Sequence, residues 1–291
     1  MIQGSPAPYR QDIGWNGLFL QLPPSWQPAV IYPAYLYFEQ DGQPALEVKW
    51  QKIHGRFSAA KILAQLEKSL APGVEQEHWD LPEDLKSPLA SYTVTGFQLQ
   101  QENRHSHGLV IFCPACNRVT LLQWYIDTTR EHHQLAHILD SFRDHNEGAD
   151  RLWTIFDIRA HLPGEAELQS HEFLPGRYTL CFDLKGTAIT LYRFKPAAVL
   201  LNRKNIVEFG RSLIDRQPLE EGKDQASWLF KAEGMELLLA KARRNPVFQW
   251  MRLWHEPRHN VILGIRAEGK RRMETGILDR LCENYTSLEP H

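Results

Sequence analysis

Apolar positions in the first half of the chain fall into short alternating runs, broken by Pro, Gly and Asp and interrupted by two segments at helical spacing. The period-two runs predict strands at 18–22, stopped by Pro23-Pro24, then at 34–39 and 45–50, where Asp41-Gly42 supplies the positive φ angles of a hairpin turn. Ser58 reads as an N-cap for a helix whose apolar stripe is Ala59, Ile62, Leu63, Leu66 and Leu70. After a Pro-rich acidic loop at 72–88, strands are predicted at 92–100, 108–113 and 119–126. A closing helix follows, with Thr128 and Glu131 spaced as a capping box and Leu135, Ile138, Leu139 and Phe142 as its stripe.

The polar, turn-forming stretch 145–150 separates this half from a second one with the same order of elements. Strands are predicted at 153–158, at 178–183 and 188–194 around Lys185-Gly186, near 228–230, at 247–253 and at 260–265. Helices are predicted at 205–214 and through Ile277, Leu278, Leu281 and Tyr285. A shift of 139 residues lays Leu122, Trp124 and Ile126 on Val261, Leu263 and Ile265, and Ile138-Leu139-Asp140 on Ile277-Leu278-Asp279. Trp15 pairs with Trp153 and Lys68-Ser69-Leu70 with Arg211-Ser212-Leu213. The expectation is an α+β chain of two tandem repeats, 1–149 and 150–291, each an antiparallel β-sheet flanked by helices.

The opening run 18–23 followed by Trp26, the Gly-turned hairpin, and the closing phrase His137-Ile138-Leu139-Asp140-Ser141-Phe142 resemble the PsbP-like superfamily. The second half keeps Ile277-Leu278-Asp279 but loses the Ser-Phe pair. The resemblance implies an antiparallel sheet with flanking helices in each half and a non-catalytic, partner-binding role. It carries over no functional residue.

Composition narrows the picture without sharpening it. The chain has 291 residues, 43% hydrophobic and 23% charged, enough to bury a core without disulfides or metal. The formal charge is −2, which gives the whole molecule no pull on nucleic acid or anionic lipid. Residues 1–151 hold 12 basic and 17 acidic residues and the remainder 21 and 18, a difference that reads as mutual attraction between the halves. Basic pairs such as Arg243-Arg244 and Lys270-Arg271-Arg272 read as solvated faces, since no nucleic-acid recognition motif accompanies them. Met1 to Trp15 lack a basic stretch followed by an apolar run, and no segment has the length of apolar residues a membrane span needs. With four cysteines the chain does not look like a secreted disulfide framework, and the expected compartment is the cytoplasm, with no membrane partner.

The one sharp chemical motif is Cys113-Pro114-Ala115-Cys116, set between two predicted strands. Two thiolates on a turn supply half of a tetrahedral zinc site. The other ligands must come from elsewhere, because six extended residues, about 20 Å, separate His107 from Cys113. His255 falls in the matching turn of the second half under the 139-residue shift and is the third candidate ligand; Arg252 then stands opposite Cys113, so that half lacks the motif. A thiol redox role is disfavoured because the flanks are strands rather than a helix N-terminus. Cys181 and Cys282 read as core residues. His133 and His137, four apart on a helix, point away from its apolar stripe and read as an exposed face. GxGxxG, GxxxxGK, HExxH and GxSxG are all absent.

Nine tryptophans are many for this length, and Trp250 and Trp254 cluster with Met251 and Leu253 before a turn. An exposed face on that cluster would mark a partner site. The sequence therefore predicts a non-catalytic interaction or adaptor protein without a cofactor, binding another protein at the inter-repeat face through Trp250 and Trp254. The alternative is a zinc-binding protein that uses Cys113 and Cys116.

Overall fold

The structure, a computed structural model, describes residues 10–289 apart from 102–103, 126–128, 146–147, 215 and 244. Strand makes up 49% of it and helix 20%. The chain divides into two units, Met1–Glu147 and Gly148–His291.

The first unit opens with a hairpin of β1 (Gln11–Trp15) and β2 (Leu18–Leu22), turned by Asn16 and Gly17, both at positive φ. A seven-stranded antiparallel sheet follows. Its strands are β3 (Trp26–Tyr32), β4 (Tyr35–Gln40), β5 (Gln43–Lys52), β6 (Glu75–His78), β7 (Thr93–Gln101), β8 (Arg104–Cys113) and β9 (Arg118–Trp124), in the order β3-β4-β5-β9-β8-β7-β6. Helix α1 (Ala59–Ser69) lies between β5 and β6 in sequence, the short α2 (Glu83–Lys86) precedes β7, and α3 (Thr129–Ser141) follows β9. Ser58 caps α1, its hydroxyl accepting from the Lys61 amide. The stripe Ile62, Leu63, Leu66 and Leu70 then packs on Phe97, Leu99, Val110 and Val119 of the sheet, which is the burial that holds an 11-residue helix in place.

The second unit repeats the plan. The hairpin β10 (Asp150–Ile155) and β11 (Ile158–Pro163) precedes β12 (Glu167–Leu174), β13 (Arg177–Leu184), β14 (Thr187–Phe194), helices α4 (Ala197–Leu200) and α5 (Ile206–Arg211), β15 (Glu220–Glu221), β16 (Gln225–Lys231), α6 (Gly234–Ala242), β17 (Phe248–Glu256), β18 (Val261–Gly269), α7 (Thr275–Glu283) and β19 (Tyr285–Ser287). Its sheet runs β12-β13-β14-β18-β17-β16-β15, the order seen in the first unit, and β19 pairs with β11. Helix α5, held by a capping box between Asn205 and Glu208, buries Ile206 and Val207 against Trp228, Met251 and Leu253.

The helix-flanked α+β expectation is therefore corrected: the fold is mostly β. Edge strands account for much of the shortfall. β3 contains Pro28 at a register shift, and β12 has a shift between Leu168 and Ser170. Both show a mostly solvated pattern with no clean apolar alternation to read. The span 153–158 is not one strand but the turn of β10 and β11, with Phe156 at positive φ. Tyr285 lies in β19 rather than on the last helix. Of the capping pair, Thr128 lies outside the described residues, as do the side chains of Glu131 and His133.

A candidate metal centre at the β8–β9 turn

Strands β8 and β9 stay paired down to Cys113 opposite Arg118, and residues 114–117 close the hairpin with Asn117 at φ 54°. Asparagine tolerates this left-handed conformation better than other side-chain-bearing residues. Cys113 is buried at the end of β8 and Cys116 half-buried in the turn. Their missing partners arrive from the far side of α3. Leu135, Ile138, Leu139 and Phe142 are buried as the periodicity predicts. Beyond the helix end, Arg143 exchanges two backbone hydrogen bonds with Phe19 of β2, at 2.8 and 3.0 Å. Ser141 adds a third tie, its hydroxyl accepting from the Gln21 amide at 2.8 Å. This bridge carries the next two residues, Asp144 and His145, onto the cysteine turn. There Arg118 donates through Nη1 to the Asp144 carbonyl.

The four side chains Cys113, Cys116, Asp144 and His145 bring one ligand atom each to within 4.8 Å of one another. Cys113 Sγ lies 3.5 Å from His145 Nδ1, and Cys116 Sγ 3.3 Å from Asp144 Oδ2. A tetrahedral zinc with Zn–S near 2.3 Å and Zn–N or Zn–O near 2.0–2.1 Å sets such edges at about 3.5 Å. His145 Nδ1 and Asp144 Oδ1 stand 2.6 Å apart, a hydrogen bond that Nδ1 gives up with its proton if it binds an ion beside Asp144 Oδ2. Asp144 is 1% exposed, so the His145 and Cys116 contacts compensate a carboxylate withdrawn from water. Burial first, then the hydrogen bond and charge of Asp144, push the Cys116 thiol up to about 12. Nearby Tyr92 is pushed up to about 12 by burial and by the charges of Asp144 and Cys113. Two sulfurs, a nitrogen and a carboxylate oxygen suit zinc, whereas magnesium and calcium take oxygen-rich sets of six or more.

His255 is not among these ligand atoms. It sits on β17 in the second unit, beside Asp224 at 3.4 Å, on the wall of a cleft of about 650 Å³ that Trp254 also lines. Trp254 packs edge-on against Tyr285 at 5.9 Å, and Trp250 is 8% exposed. His107 packs against Trp79 and Trp124, with ring centroids at 4.7 and 5.9 Å. Cys181 and Cys282 are half-buried, and burial pushes the Cys282 thiol up to about 12. His137 is exposed. Asp144 went unnoticed in the sequence and His145 was read as linker, since 28 residues separate Cys116 from Asp144 and no spacing rule spans that gap.

No family model and no curated protein matches the chain. Among solved structures, MucB in complex with MucA(peri) aligns over 93% of this chain and 82% of its own, at 9% identity and a TM-score of 0.24. A likeness at that level sets neither the fold nor the chemistry of this chain. No helix among the described residues is long and apolar enough to cross a membrane.

Proposed function

We propose that this chain is a zinc-binding protein whose ion is held by Cys113, Cys116, Asp144 and His145. The observation that carries the reading is the convergence of four ligand atoms within 4.8 Å from a hairpin turn and a post-helical segment remote from it in sequence. Four protein ligands complete a tetrahedral shell, which is the arrangement of structural rather than catalytic zinc. The ion then cross-links the β8–β9 turn to the segment after α3. A cleft of about 620 Å³ lined in part by Tyr92, Cys113 and His145 supplies a path of entry.

The test is elemental analysis of untagged protein beside Cys113→Ser/Cys116→Ser and Asp144→Asn/His145→Ala. The expected result is about one zinc per chain, lost in both double variants. Cobalt substitution adds a thiolate charge-transfer band that disappears in the cysteine variant. Metal-free wild type that acquires no such band on reconstitution overturns the reading.

Binding of another protein is the second reading, and one observation within the first unit supports it. Tyr32 of β3 is 60% exposed, its ring lies 6.0 Å from that of Tyr35 on β4, and Lys49 stands 5.1 Å over the Tyr35 ring. Tyrosines in a row on a part-solvated sheet are common anchors for a partner. A partner retained by wild type but released by Tyr32→Ser/Tyr35→Ser supports this reading, and retention by both removes it.

A further inference from the structure

The zinc reading leaves a second feature of the first unit unused, at the other end of its sheet. Along β9, Val119 and Leu121 lie under α1. Gln123 and Tyr125 continue the same face past the end of the helix, because side chains alternate with a period of two. Along β8 the same face passes from Phe112 and Val110 to Gly108 and Ser106. Helix α1 stops at Ser69, and the chain turns through Gly73, at φ +84°, into β6. The uncovered end of the face is a cavity of about 450 Å³, inside the usual range for small-molecule sites.

Its walls are divided by chemistry. Leu70, Val74 and Leu99 form one end, while Ser106, Gln123 and Tyr125 form the other. Ser106 and Gln123 are 7% and 8% exposed, and Gln123 Nε2 donates to Ser106 Oγ at 2.9 Å. The Tyr125 hydroxyl is engaged with Glu47 at 3.0 Å. What remains on the wall is the Gln123 carbonyl oxygen, its second N–H and the Ser106 hydroxyl proton, with no other hydrogen bond among the described residues. Both groups line the cavity, where a molecule that enters can complete their hydrogen bonding. Neither lysine nor arginine is among the described wall residues, and His105, the one basic side chain there, is exposed, so the buried part of the wall offers an anion no counter-charge.

We propose that this cavity binds a small neutral amphiphile, whose apolar body lies against Leu70, Val74 and Leu99. Its head group both donates to Gln123 Oε1 and accepts from the Ser106 hydroxyl, as a primary amide or an alcohol can. A carboxylate of the same chain length accepts but does not donate, and it brings an unpaired charge to the neutral buried groups Ser106 and Gln123.

The experiment uses the full chain and the neutral dye Nile red, titrated by its fluorescence and displaced with decanamide, 1-decanol or decanoate. Saturable, blue-shifted fluorescence is expected, with decanamide displacing the dye at a concentration roughly tenfold below that of decanoate. Val74→Trp fills the apolar end and is expected to abolish the signal. Gln101→Trp, at an exposed rim position, blocks entry without touching the core and serves if Val74→Trp fails to fold. Gln123→Leu should weaken decanamide more than it weakens the dye. The cysteine double variant should bind the dye as wild type does, which separates this site from the metal centre. Absence of saturable fluorescence in wild type overturns the proposal. So does full binding in folded Val74→Trp and Gln101→Trp, or equal displacement by decanoate and decanamide.

Discussion

At the scale of single residues, the proposed metal centre involves Arg118 as well as its four candidate ligands. The guanidinium donates to the Asp144 carbonyl, and it lies so near the β1–β2 turn that a Cβ added at Gly17 would stand 3.2 Å from Nη1. Arg118 is thus a positioning residue, fixing the angle at which Asp144 and His145 meet the turn. Lysine keeps the charge but has neither the planar fork nor its reach in two directions. Arg118→Lys is expected to lower zinc affinity by about 10- to 100-fold, the usual scale for groups that orient ligands. Competition with a chelating dye measures this, and an unchanged melting temperature of the metal-free forms distinguishes positioning from loss of fold. Cys116 carries a pH prediction. Its thiol is raised from 9.0 to about 12, so the folded metal-free chain holds that proton more tightly than the unfolded chain. The corresponding stability is complete below pH 9 and is lost as the pH climbs toward 12. The urea midpoint of metal-free protein should therefore fall over that window more steeply in wild type than in Cys116→Ser; equal slopes contradict the assignment.

At the scale of elements, the strands under α1 are packed to the limit at one position. Gly108 of β8 faces Phe97 of β7, and a Cβ there would lie 2.1 Å from the ring. Phe97 is fully buried, so the ring has nowhere to retreat. Gly108→Ala is expected to destabilise the first unit by about 1–3 kcal/mol through overpacking, read as a lowered denaturation midpoint. A midpoint within error of wild type would show that the ring moves. Elements whose own residues specify them were legible beforehand: Asp41-Gly42 and Lys185-Gly186 do turn hairpins, and Ser58 does cap a helix. Edge strands such as β12 were not legible, because a strand solvated on one face and bulged at Leu168 shows no alternation to follow. Half of the metal centre was likewise legible in Cys113 and Cys116. The other half was not, because Asp144 and His145 reach the turn through the Phe19–Arg143 bridge and the contacts beside it, tertiary pairings that no local pattern encodes.

At the scale of the whole molecule, the two units offer an internal control. Both close the matching hairpin with four residues and a left-handed asparagine, Asn117 at φ 54° and Asn260 at φ 54°. Matching those turns shifts the chain by 143 residues, not the 139 that side-chain identities favoured. Glu256 and His259 then occupy the places of Cys113 and Cys116. Strand pairing at the two short hairpins, Phe19 with Arg143 and Arg159 with Thr286, places Arg143 and Thr286 in matching positions, again 143 apart, and sets Ser287 and Leu288 against Asp144 and His145. The second unit therefore keeps the scaffold without thiols, with His259 and Glu256 paired at 3.3 Å. The zinc reading therefore predicts one zinc per chain, with a spatial signature for its removal. Chelation should raise amide hydrogen exchange at 112–119, at 142–145 and around Phe19, because the cross-link between turn and post-helical segment is lost. The equivalent turn at 256–261 should be unaffected. Exchange that rises equally in both turns would mean that the chelator acts on the fold at large. Exchange that rises in neither would mean that backbone pairing of Phe19 with Arg143 holds the centre in shape without an ion, leaving the ligands preorganised and the metal a guest rather than a brace.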